Sequence, residues 1–156
     1  MESSLETGSI KEAIIFIGIP ASGKSSFYRE HFQGYIHINL DRLHTRNKER
    51  LALEECIRDQ LSFVVDNTNP TVEDRAKYIN LAKENGYRIS GYYFQSSISE
   101  CLSRNSMREG KARVPDIAVK SVHSKMELPK YSEGFDKLCY VHMEANGFVV
   151  EDWKEE

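Results

Sequence analysis

The segment Gly18-Ile19-Pro20-Ala21-Ser22-Gly23-Lys24-Ser25 follows directly on an unbroken apolar run, Ala13-Ile14-Ile15-Phe16-Ile17. Such a run, β-branched and aromatic with no polar alternation, suits a strand buried on both faces. The two glycines let the backbone after it curl so that successive N–H groups point inward, and a following helix adds the positive end of its dipole. The result is a cradle for phosphate. Lys24 then reaches the β- and γ-phosphates, and Ser25 offers its hydroxyl to Mg²⁺, a hard ion that takes oxygen ligands. Strand, loop and helix together predict ATP and Mg²⁺ bound over Gly18 to Ser26. A loop that merely turned a corner would have no need of Lys and then Ser at its end.

The remaining pattern alternates strands with helices. Short apolar runs at 35–38 and 63–65, with longer ones from Tyr87 to Phe94 and Leu138 to Met143, read as strands. Leu53, Cys56, Ile57 and Leu61 form one stripe of a helix over roughly 48–61. Val72, Ala76 and Ile79 repeat that spacing in a helix opened by Asn69-Pro70-Thr71 and closed by Asn85-Gly86. Further helices are expected over about Ser97 to Met107 and Pro115 to Met126. Alternation of this kind builds βαβ units. It predicts an α/β three-layer sandwich around a mainly parallel, roughly five-stranded sheet. At 156 residues the chain is expected to be a single domain, with a polar tail over about 1–10 and a lid over about 104–114.

Composition narrows the classes further. With 40% hydrophobic and 29% charged residues the chain can fill one core. No apolar run approaches the ~18 residues of a membrane span, so a cytoplasmic location with no membrane partner is expected. Cys56, Cys101 and Cys139 lie far apart and read as buried free thiols. The histidines are scattered, without the spacing of a metal site. The formal net charge is −3, yet Arg104 to Lys130 carries seven basic residues against three acidic. That stretch reads either as an anion-binding face or as a solvated helix surface.

Polar residues at strand ends mark the remaining chemistry, because in a doubly wound sheet these ends open onto the ligand crevice. The second strand ends Asn39-Leu40-Asp41. Asp41 is a candidate general base for an attacking hydroxyl, or else a cap of the next helix. The third ends Asp66-Asn67-Thr68-Asn69. Asp66 sits where a carboxylate orders the magnesium shell. Thr68 and Asn69 could face the acceptor, and Asn-Pro turn chemistry explains Asn69 equally well. Arg104 and Arg108, four apart, are expected on one helix face. There they suit a lid that closes over ATP phosphates, or form a solvated pair.

Taken together, GIPASGKSS at 18–26, HINLD at 37–41, VVDNTNPT at 64–71, RNSMR at 104–108, VPD at 114–116 and MELPKYSEGFDK at 126–137 resemble the kinase domain of polynucleotide 5′-hydroxyl kinases. The likeness covers nearly the whole chain. It implies ATP-dependent phosphorylation of a hydroxyl, with Lys24 and Ser25 on phosphate and metal, Asp41 as base, and Arg104 and Arg108 as lid arginines. Leu40 stands where familiar members carry Arg, and Arg42 and His44 are the nearest candidates for an acceptor-side cation. The implied acceptor is a nucleic acid 5′-hydroxyl end, otherwise a small hydroxyl-bearing molecule; a non-catalytic nucleotide switch is a third reading. No companion phosphatase is expected within these residues, so an end-healing kinase of this kind is expected to work alone or with a separate phosphatase or ligase.

Overall fold

A computed structural model describes residues 10–95 and 97–154. The polar tail expected over about 1–10 lies, apart from Ile10, outside the described residues. In chain order the elements are β1 (Glu12–Ile17), α1 (Lys24–His31), β2 (Ile36–Ile38), α2 (Leu40–Leu43), α3 (Arg46–Asp59), β3 (Phe63–Val65), α4 (Val72–Glu84), β4 (Arg88–Phe94), α5 (Ile98–Ser106), α6 (Asp116–Lys125), β5 (Lys137–Glu144) and β6 (Gly147–Asp152). The sheet runs β2-β3-β1-β4-β5-β6. Its first five strands are parallel neighbours, and β6 pairs antiparallel with β5.

β1 is central and Ala13 to Ile17 are completely buried. Ala13, Ile15 and Ile17 face a cluster with Leu53 and Cys56 of α3 and Tyr78, Ile79 and Ala82 of α4. Ile14 and Phe16 face the other way, onto Phe27 of α1, Phe94 and Val141. Alternate residues of one strand thus feed two cores, which is why the sequence shows a continuous apolar run. Each large side chain buried there contributes about 1.5–3 kcal/mol. A third cluster packs Ile19 and Ala21 of the glycine loop against Cys101 of α5 and Val119 of α6. It joins the loop to α5 and α6.

Where roughly five strands are expected, the described residues form six. β6 returns from β5 through Ala145-Asn146, with Gly147 at φ 118 in a conformation that favours glycine. Its residues are half-exposed or exposed, so no buried run announces it. Helix ends shift for local reasons. The N-cap of α4 is Thr71, whose side chain accepts from the Asp74 N–H, and α3 stops at a left-handed Gln60. Beyond α5, buried Asn105 brackets Val114, accepting from its N–H at 3.0 Å and donating to its carbonyl at 2.6 Å. A short 3₁₀ turn, Gly110–Ala112, lies between them. All three cysteines are buried, and Cys56 and Cys139 are free thiols. Among the described residues no helix is long and apolar enough to cross a membrane.

Candidate active site

The glycine loop joins β1 to α1. Gly23 takes φ 103, and a Cβ there would approach Phe148 to 3.0 Å, so glycine is required by both backbone and neighbour. Lys24 opens α1, only 8% exposed, with its ammonium donating to the Gly18 and Ile19 carbonyls at 3.0 Å each. Burial lowers its pKa, and the Asp66 carboxylate is the main opposing influence. Ser22 is buried and its hydroxyl has no hydrogen-bond partner among the described residues. Ser26 lies one step further along α1, exposed.

Ser25 donates its hydroxyl to Asp66 Oδ2 at 2.7 Å. The His37 ring, stacked on Tyr28, places Nε2 2.8 Å from the same oxygen. Asp66 is 2% exposed, and its Oδ1 is buried without a hydrogen-bond partner among the described residues. A buried carboxylate oxygen left open beside a serine hydroxyl is the hard-oxygen donor set that suits Mg²⁺, an ion that takes one or two protein ligands together with substrate phosphates and water. Among the described residues no group of three or more His, Cys, Asp and Glu is arranged as a metal cage.

Asp41 is the second residue of α2, exposed, and lines a cavity of about 370 Å³ shared with Lys24, Ser25, Asp66, Thr68 and Asn69. The capping role belongs to Asn39, whose side chain accepts from the Arg42 N–H and donates to the Asp66 carbonyl at 2.7 Å. Asn67 Oδ1 accepts from the Leu40 N–H at 3.0 Å. The helix bearing Asp41 is therefore tied twice to the end of β3. Thr68 accepts the Gly18 N–H on its carbonyl. Asn69, at φ 45 and 4% exposed, donates its amide to the Phe16 carbonyl at 2.8 Å. Arg42 and His44 are not among the residues lining this cavity, and His44 ends α2 at φ 75.

The two lid arginines part company. Arg104 donates to the Ala21 carbonyl at 2.9 Å and pairs with Glu100 at 3.6 Å, so it braces the glycine loop. α5 ends at Ser106, which takes Arg108 off the helix face expected from its spacing; it lines the cavity and donates to the Ala112 carbonyl. Two cations that sequence reasoning missed, Arg46 and Lys77, line the same cavity, together with Lys125 of the basic stretch Arg104 to Lys130. Arg46 did leave a signal. It is the first residue of α3, where the helix dipole disfavours positive charge. Lys77 reads as an ordinary solvated helix residue.

The family model described as AAA domain matches residues 14–129. A bifunctional polynucleotide phosphatase/kinase of Schizosaccharomyces pombe is 35% identical over 133 residues, covering 82% of this chain and 33% of its own. L-seryl-tRNA(Sec) kinase of Methanococcus maripaludis is 23% identical over 143 residues, covering 79% of this chain and 55% of its own. The chain thus spans about a third to a half of the length of these curated relatives. Among solved structures, a gluconokinase from Sinorhizobium meliloti shares the fold with a TM-score of 0.56 at 22% identity, over 85% of this chain and 83% of that one. A phosphate loop on a central parallel strand, a mostly parallel sheet and the match over 14–129 lead to one assignment: the chain belongs to the AAA domain family and is a P-loop kinase domain.

Proposed function

We propose that this chain transfers the γ-phosphoryl group of ATP to the 5′-hydroxyl of a DNA or RNA end. The observation that carries the reading is the continuity of one cavity. Lys24 and Ser25 line it together with Asp41, and Arg46, Lys77 and Lys125 line it as well. The first pair suits the donor phosphates, the carboxylate suits the attacking hydroxyl, and the cations suit an acceptor that carries its own phosphates. The similarity to a polynucleotide phosphatase/kinase supports the same acceptor. A phosphatase or ligase acting on the same ends is the partner class that fits, and ATP as donor fits a cytoplasmic location.

In this mechanism Asp41 accepts the hydroxyl proton as the oxygen bonds to the γ-phosphorus and the bond to the β,γ-bridging oxygen breaks, releasing ADP. Lys24 and Arg108, which line the cavity, offset charge on the transferring group, while Arg104 holds the glycine loop in place. Ser25 and Asp66 would hold Mg²⁺, whose charge when bound counters that of the β- and γ-phosphates. Transfer from γ-labelled ATP to 5′-hydroxyl oligonucleotides of DNA and RNA, beside a panel of nucleosides and small alcohols, tests the reading. Asp41→Asn should lower turnover about 10²–10⁴-fold with ATP affinity retained; unimpaired turnover removes Asp41 from the chemistry.

A second reading keeps the donor half and replaces the acceptor with a small hydroxyl-bearing molecule. It draws on Asp74, an acidic residue in the same lining, and on the net charge of −3. Contacts to several nucleic-acid phosphates make KM rise with salt. Label confined to a small acceptor, with a KM indifferent to salt, would favour this second reading. Any hydroxyl phosphorylation excludes a purely non-catalytic switch.

A further inference from the structure

Glu49 is a charged residue only 3% exposed, on the inner face of α3, and it belongs to no part of the donor site. Its carboxylate gathers four donors. Tyr78 donates its hydroxyl to Oε2 at 2.8 Å, and Asn67 donates its amide to the same oxygen at 2.9 Å. Arg46 donates to Oε1 at 3.1 Å, and Lys77 lies 3.7 Å from it. A buried carboxylate with this many partners is costly to build in the interior unless each partner is held in place. Two of the partners, Arg46 and Lys77, line the reaction cavity. A third, Asn67, uses its other end to accept the Leu40 N–H at 3.0 Å, at the start of the helix that bears Asp41.

We infer that Glu49 is the positioning residue of the acceptor side: through Asn67 it fixes the helix of the proposed base, and through its own oxygens it aims Arg46 and Lys77 at the acceptor. This rests on the kinase reading above and gives the acceptor half a single organising group. The Tyr78 hydroxyl completes the arrangement, since it also accepts from Arg46 at 3.0 Å and from Asn67 at 3.3 Å. Glu49 itself needs no contact with substrate. Displacing a base or a clamp by an ångström is enough to lose about 10²-fold in rate.

The test compares wild type with Glu49→Gln, an isosteric change that leaves one oxygen for four donors, and with Tyr78→Phe. Glu54→Gln, on the same helix in an exposed pair with Arg50, is the control. Acceptor kcat/KM should fall about 10²-fold in Glu49→Gln and less in Tyr78→Phe, with equilibrium binding of a non-hydrolysable ATP analogue unchanged. Amide exchange at Leu40 should accelerate while that of Ile14 and Ile15 does not. A loss shared between nucleotide affinity and acceptor kinetics, exchange accelerated throughout β1, or wild-type behaviour in both variants would each overturn the inference. Failure of the wild type to label oligonucleotides counts against the nucleic-acid acceptor alone. The kinetics then use whichever acceptor is labelled, and the exchange measurement needs none.

Discussion

The pair Arg75–Glu133 offers a stability test that reaches the site. Arg75 of α4 is completely buried, and Glu133, in the turn before β5, has a side chain 5% exposed. The guanidinium donates through Nε and Nη2 to the two carboxylate oxygens at 2.9 and 3.0 Å, and through Nη1 to the Asn69 carbonyl at 2.9 Å. Removing one partner leaves the other charge buried and alone. Glu133→Leu should therefore cost about 3–5 kcal/mol, and Arg75→Met a similar amount. In the double variant both charges are gone, and the chief remaining cost is the orphaned Asn69 carbonyl, about 1–3 kcal/mol. The expected coupling is at least about 3 kcal/mol, read from urea midpoints at constant m. Each single variant should melt about 6–20 °C lower, at about 2–4 °C per kcal/mol for a chain this long. Additive single losses, or singles that cost less than about 1 kcal/mol, would refute the view that the two charges stabilise only as a pair.

Gly23→Ala should destabilise by at least about 1–2 kcal/mol from the left-handed backbone alone, and Phe148→Leu in the same chain should recover only the further part that comes from contact with the ring; full recovery in thermal melts would assign the whole cost to sterics. Burial and the Glu12 carboxylate, to which it donates at 2.6 Å, push the Tyr35 hydroxyl up to about 12. The unfolded chain, ionising near pH 10, loses that proton first, so this contribution is intact below pH 10 and disappears as pH rises through 12. Tyr35→Phe should flatten the fall of stability over that window in urea titrations. Burial raises the Cys56 thiol to about 11 and also raises Cys139; both should resist a disulfide reagent at pH 8 until the chain unfolds, and prompt labelling of the native protein would contradict the burial.

What the sequence made legible follows from how locally each part is built. The donor half is one strand, one loop and the first turn of one helix. Burial on both faces writes β1 as an apolar run, and the backbone geometry writes the loop as Gly18, Gly23, Lys24 and Ser25. Asn69-Pro70-Thr71 likewise announced the start of α4. The proposed acceptor half has no such contiguity. It draws Asp41 from α2, Arg46 from α3, Lys77 from α4 and Lys125 from α6. Periodicity assigns charged residues on amphipathic helices to water, and that rule fails where charges find partners inside. Arg75 sits among Val72, Ala76 and Ile79, yet it is completely buried like Ile79 while Val72 is exposed. Glu49 reads as a solvated residue of α3 and is instead the junction of four donors. The same difference explains why the phosphate donor was readable before the acceptor. A phosphate loop is a property of consecutive residues, whereas an acceptor wall exists only once four helices have docked on the sheet, and its ordering depends on buried charges that hydrophobic patterning does not register.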